Sequence, residues 1–199
     1  MRKLVVLTFL TLDGIMQAPG GPEEDKSEDF KFGGWSVGYW DSVMSDVMTE
    51  QMGKPFDLLL GRKTYEIFAG FWPKSKDPGA EGLNKAKKHV VSKTLKKLEW
   101  INSVLIMGDV PKEIQKLKEM DGPELQVHGS SNLIQTLLKN DLVDEFWLKI
   151  FPVTIGRGKR LFGEGTMPAG FKLLDTKIST TGVIAANYKR EGKIKIGSF

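Results

Sequence analysis

Residues 125–162 read LQVHGSSNLIQTLLKNDLVDEFWLKIFPVTIGRGKRLF, and they hold the change of pattern that decides the architecture. The short apolar run 125–128 stops at Gly129. Residues 130–140 then carry Leu133, Ile134, Leu137 and Leu138 at the three-and-four spacing of one helix face. Residues 143–153 return to a strand rich in Val, Phe, Trp and Ile, followed by the basic loop Gly156-Arg157-Gly158-Lys159-Arg160. After this point no helix separates the last two predicted strands, 171–179 and 183–190.

Upstream, strand and helix alternate. Residues 2–12 are a strand candidate ending at Asp13-Gly14, and 15–34 form a Gly/Pro-rich acidic loop. Residues 36–52 have helical spacing, with Val37, Trp40, Val43, Met44, Val47 and Met48 on one broad face. A short strand at 56–61 leads into helical turns at 64–69, and 71–82 reads as a second loop. Strands at 88–92 and 104–107 precede a helix at 110–120. The expectation is an α/β fold over residues 1–199 as one domain: a central mostly parallel sheet, an antiparallel C-terminal edge, and helices on both faces. Ligands of such sheets bind beyond the carboxyl ends of the strands. Asp13-Gly14, Gly61-Arg62, Ser92-Lys93 and Gly129-Ser130 all fall there.

Composition narrows the chemistry. With 29 Lys+Arg against 25 Asp+Glu, the net charge of +4 suits a small anionic ligand and is too dilute for nucleic acid. Zero cysteine excludes disulfides, thiolate metal ligands and a cysteine nucleophile, and fits a cytoplasmic protein. The two histidines, His89 and His128, make neither a metal cluster nor a catalytic triad. Residues 1–10 (MRKLVVLTFL) have a signal-like basic start, but Asp13-Gly14 interrupts the apolar run without a small-residue cleavage site, so a buried first strand is expected. No apolar segment is long enough for a membrane span.

Gly61-Arg62-Lys63-Thr64 stands between a strand and a helix, where unpaired N–H groups and partial positive charge attract phosphate. Gly129-Ser130-Ser131-Asn132 repeats the arrangement. Either alone also reads as an ordinary helix start; the pair fits a bridging diphosphate. Ser92-Lys93-Thr94, with Lys85, Lys87, Lys88, Lys96 and Lys97 nearby, offers a place for one more phosphate or is a solvated loop. Neither a P-loop nor G-x-G-x-x-G occurs at these strand ends. Asp13 is the candidate proton relay or an Asp-Gly turn. Trp35, Tyr39 and Trp40 are candidates for stacking on a planar substrate, with core packing favoured for Trp40. Asp41, Asp46 and Glu50 are the carboxylates on or near the first helix.

In this order the segments resemble a known fold. LLLGRKTYE (58–66) resembles the strand–Gly-Arg-x-Thr–helix element of dihydrofolate reductase, and KHVVSKTL (88–95) its next strand and Ser/basic cofactor loop. Residues 125–162 are similar to the C-terminal reductase domain of the bifunctional riboflavin-biosynthesis deaminase-reductases. TLDG (11–14) resembles that group's S-x-D-G element, while GGW (33–35) and FWP (71–73) resemble its stand-alone members.

The resemblance implies a dihydrofolate reductase-like three-layer fold, a homodimer, and hydride transfer from NADPH to a small heterocyclic or sugar-derived substrate. The riboflavin-pathway substrate 5-amino-6-(5-phosphoribosylamino)uracil is the nearest named analogue. Dihydrofolate reduction, and NADPH binding without turnover, stand as alternatives. By position, Gly61, Arg62, Lys63 and Thr64 would hold the diphosphate region together with Gly129, Ser130, Ser131 and Asn132. Ser92 and Lys93 would take the 2′-phosphate side, and Gly14 and Ile15 would lie near the nicotinamide. Asp46 is the nearest match to the pterin-binding acid. Two departures are visible: Ser130 replaces a second glycine, and a chain without cysteine supplies no deaminase zinc thiolates.

Overall fold

The run LVVLTFLT, β1 (Leu4–Thr11), is apolar and β-branched along its length and buried nearly throughout, as suits a strand covered on both faces. In the computed structural model, which describes residues 1–198, β1 lies inside an eight-stranded sheet. The other strands are β2 (Phe56–Gly61), β3 (Lys88–Val91), β4 (Ser103–Ile106), β5 (Glu124–His128), β6 (Glu145–Phe151), β7 (Gly170–Ile178) and β8 (Ile184–Gly192). Their spatial order is β4-β3-β2-β5-β1-β6-β8-β7. The first six run parallel; β8 turns antiparallel to β6, and β7 antiparallel to β8. The mostly parallel sheet with an antiparallel C-terminal edge is therefore as expected.

Strand alternation separates two faces. Leu4, Val6 and Leu10 of β1, Leu59 of β2, and Leu125 and Val127 of β5 pack with α4 (Val110–Glu119) and α5 (Ser131–Lys139). Phe56, Leu58, Leu60 and Val90 face the other way, against Tyr65 of α2 (Arg62–Phe71), Leu83 of α3 (Ala80–Lys85) and Trp100. Gln126 shares that second face, where its Nε2 donates to the Gln51 carbonyl of α1 (Ser42–Met52) at 3.0 Å. Helices α1 and α2 thus lie on one face, and α4 and α5 on the other. Among the described residues no helix is long and apolar enough to cross a membrane.

Several boundaries differ from the periodicity. The helix expected over 36–52 begins at Ser42, because Asp41 is its N-cap and accepts the Met44 N–H at 2.9 Å. Residues 37–39 form a 3-10 turn instead. Helix α2 starts at Arg62, two residues before the expected start, and the loop expected over 71–82 contains a 3-10 turn and the start of α3. A six-residue helix is too short to show a periodic stripe.

Candidate functional site

Two strand ends meet on the carboxyl rim. β2 passes into α2 at Gly61, and β5 passes into α5 through Gly129 and Ser130, both left-handed at φ 55° and 57°. The Gly61 N–H donates to Ser130 Oγ at 3.0 Å, and the Ser130 N–H donates to Thr64 Oγ1 at 3.0 Å. These two bonds make one unit of segments lying 66 residues or more apart. Thr64 therefore anchors the neighbouring turn instead of capping its own helix. No side chain caps α2 or α5, which leaves the first-turn N–H groups of both helices aimed along their axes toward the rim. A Cβ at Gly129 would stand 3.5 Å from Thr64, so the turns approach closely.

The rim opens on a cavity of about 1250 Å³. Its polar part follows the strand ends: Gly61–Thr64 by β2, Ser92–Thr94 by β3, Met107-Gly108 after β4, and Gly129–Asn132 by β5. Its apolar part is a cleft on the α1/α2 face of the sheet. There Leu7 and Phe9 of β1 and His128 of β5 meet Trp40 and Met48 from the α1 side and Ile67, Phe68 and Phe71 from α2. Gln17–Gly21, Glu24, Asp25, Ser27 and Glu28 contribute a loop wall.

Of the residues singled out in the sequence, Gly61, Arg62, Lys63 and Thr64 line this cavity, as do Ser92, Lys93, Gly129, Ser130, Ser131, Asn132 and Trp40. Trp40, a stacking candidate for which core packing was the favoured alternative, is 44% exposed, with its ring 5.9 Å from Phe9. Ser92 is buried and its hydroxyl accepts the N–H groups of Thr94 and Leu95, so it shapes the β3 loop.

Others of them lie outside. The Asp13 carboxylate accepts the Thr11 hydroxyl at 2.5 Å and the Gly156 N–H at 2.6 Å, tying β1 to the 155–156 loop. Burial pushes that carboxyl up, but the bonds from Thr11, Gly156 and Ile155 outweigh it and hold it below the ordinary range, unsuited to giving up a proton near neutrality. Gly14 (φ 80°) turns the chain, and Ile15, fully buried, pairs with Arg160; the next residues, Met16 and Gln17, reach the cavity. Trp35 donates its Nε1–H to the Gln17 carbonyl and packs edge-on against Phe151, as does Tyr39. Asp46 is exposed, about 200° around α1 from the cavity-lining Met48. Lys85, Lys87, Lys88, Lys96 and Lys97 do not line the cavity either. Lys88 is fully buried, donating to the Asn84 carbonyl with its ammonium 4.1 Å from the Trp100 ring centre.

Three groups were missed. Glu24 lines the cavity and accepts the Gly20 N–H at 2.6 Å; burial pushes its carboxyl up despite that bond. Asp25 ties Lys159 and, at 3.8 Å, Lys63 to the loop wall, while the Gln17 amide donates to the Ser27 carbonyl at 3.0 Å. His128 is 7% exposed and, through burial first and Lys149 second, held down at about 3. The Gln126 amide is oriented by donating Nε2–H bonds to Gln51 O and Glu124, so its Oε1 accepts the His128 Nε2–H at 2.9 Å. That leaves neutral His128 with Nδ1 as an acceptor. A run of loop carboxylates and a strand-end histidine carry no periodic signal; only the tertiary wall reveals them.

The family model described as RibD C-terminal domain matches residues 2–185. The uncharacterized protein YyaP of Bacillus subtilis (strain 168) is 28% identical over 196 residues, covering 96% of each chain. A Shewanella sp. PV-4 protein provisionally assigned to riboflavin biosynthesis superposes with a TM-score of 0.68 at 21% identity, over 95% of this chain and 99% of that one. A pyrimidine reductase-like protein of Corynebacterium diphtheriae gives 0.65 at 14% identity, over 96% and 92%. Enterococcus faecalis dihydrofolate reductase, complexed with NADP(H), gives 0.59 at 14%, over 94% and 96%. The fold is thus the dihydrofolate reductase-like one.

Proposed function

The chain belongs to the RibD C-terminal domain family, and from that membership we propose that it is an NADPH-dependent reductase. The observation that carries the reading is the joined pair of helix mouths, Gly61–Thr64 and Gly129–Asn132, opening uncapped on one cavity. Their N–H groups suit the two phosphates of a dinucleotide. Lys93, exposed at the end of β3, suits the further 2′-phosphate. Among the described residues it is the one cavity cation without a carboxylate partner: Arg62 pairs with Glu66, and Lys63 and Lys159 with Asp25. Met16, Gln17 and Ala18, which line the cavity where Gly14 and Ile15 do not, are the residues of this turn suited to meet the nicotinamide.

When bound, reduced NADP supplies a hydride; the substrate's C=N or C=O carbon accepts it and the heteroatom accepts a proton. Glu24 replaces Asp13 as the proton source, since it alone of the two faces the cavity and burial favours its protonated form. The loop wall pinned by Asp25 and Lys159 excludes water from one side. The same reading includes a homodimer. Edge strand β7 exposes Leu173, Leu174 and Ile178, a surface suited to a second copy.

Titration of tryptophan fluorescence and melting temperature with NADPH and NADH tests the reading. NADPH is expected to bind the more tightly, and Lys93→Ala to narrow that preference about tenfold by removing one charge-assisted bond to phosphate. If neither cofactor moves either signal, the reductase assignment falls.

A further inference from the structure

The charges around the cavity are unevenly placed. Every cation that lines it sits on the strand-end rim or in the loop wall: Arg62 and Lys63 at the start of α2, Lys93 after β3, and Lys159. Three of these four are already held by carboxylates. Among the described residues, the part of the cleft between α1 and α2 below Lys63, which is held by Asp25 one turn before Ile67, has no charged side chain. Its floor is Leu7, Phe9 and His128, and its walls are Trp40 and Met48 on one side and Ile67, Phe68 and Phe71 on the other. Of the large apolar residues walling this cleft, Trp40 and Phe71 are the most exposed, at 44% and 53%. Phe9 backs Trp40 at 5.9 Å and Trp72 backs Phe71 at 5.0 Å, so both exposed rings are held by aromatic neighbours. The nearby loop wall adds Glu28, beside Glu24, whose carboxyl burial pushes up, and Asp25, which is paired with Lys159 and Lys63.

A phosphate group entering such a cleft would lose hydration with no unpaired cation to replace it, and would meet Glu28 at the loop. A planar neutral ring loses little and gains two aromatic faces. We propose that the α1–α2 cleft selects an uncharged, unphosphorylated planar ring, with Trp40 and Phe71 as the residues that set this specificity. His128 gives the floor a single neutral polar group. The inference rests on the reductase reading for its chemistry, but its selectivity is a property of the cleft alone.

The test uses the full chain and a matched pair of probes, 5-amino-6-ribosylaminouracil and its 5′-phosphate, with menadione as a second neutral ring. Affinities are measured by calorimetry with and without saturating NADPH. The neutral riboside is expected to bind about tenfold more tightly than its phosphate. Trp40→Ala and Phe71→Ala should each weaken a neutral ring by about tenfold while leaving NADPH affinity unchanged. Ile67→Arg, a partly exposed change that supplies a cation, should raise affinity for the phosphate to that of the riboside. A phosphate bound as tightly as the riboside by the unaltered chain, or neither neutral ring bound, overturns the proposal. Loss of NADPH binding with the neutral preference intact overturns only the reductase reading.

Discussion

Ser130 holds φ 57° and ψ 45°, a region that costs an L-residue on the order of 1 kcal/mol, while its hydroxyl receives the Gly61 N–H. The two substitutions at this position should therefore separate. Ser130→Ala keeps the strain and strips the acceptor, and should cost about 1–3 kcal/mol in urea unfolding. Ser130→Gly loses the same acceptor but relieves the strain, and should cost less; equal losses would remove the left-handed strain from this account. Glu24 makes a second residue-scale case. Burial raises its carboxyl, so a rate that needs the acid form should fall as pH rises through a value above the ordinary glutamate range. Glu24→Gln is expected to lower kcat and abolish that limb, leaving NADPH affinity unchanged; an unaltered profile would return the proton to solvent. The rim residues were legible because glycine and hydroxyl residues at a strand end have a local signature. Asp13 lies outside the cavity and Glu24 inside it because tertiary contacts set which partners reach a carboxylate, and Gly156, which binds Asp13, lies 143 residues away.

The strand–helix alternation was legible as elements because burial imposes period two on strands and 3.6 on helices. Where a cap overrode periodicity, as Asp41 does at α1, the boundary moved. Burial also explains two ionic features of the sheet. Arg2 Nη2 donates to Asp57 Oδ2 at 2.5 Å and His89 Nε2 lies 3.2 Å from the same oxygen, joining residue 2 to β2 and β3. Asp57→Asn leaves Arg2, buried, without its counter-charge and should cost about 3–5 kcal/mol, read from the denaturation midpoint. His128 titrates at about 3 in the folded chain against 6.5 ordinarily. Between those values only the unfolded chain binds the proton, so this residue's contribution is complete above pH 6.5 and is lost as pH falls toward 3. The slope approaches about 1.4 kcal/mol per pH unit. His128→Phe should flatten the acid side of a stability–pH curve. A residual slope remains, because burial also lowers His89, against the opposing pull of Asp57.

At the scale of the molecule, one sheet gathers strand ends from residue 61 to residue 132 on a single rim and leaves β7 as an edge with exposed Leu173 and Leu174. A second copy covering that edge predicts a dimer in analytical ultracentrifugation that Leu173→Lys converts to monomer, with NADPH affinity retained. A chain that sediments as a monomer before the change would refute the pairing.

The sequence by itself determined the alternation of elements, the antiparallel tail and the two Gly/hydroxyl mouths, because each follows from steric and burial rules acting over a few neighbouring residues. Only the tertiary structure decided that Ser130 and Thr64 bind the two mouths to each other, that Trp40 opens to the cavity while Trp35 and Tyr39 pack inward, and that Glu24 lines the cavity while Asp13 does not. Those outcomes depend on distances between segments far apart in the chain. Local pattern fixes which way a residue points on its own element, and packing fixes what it meets there.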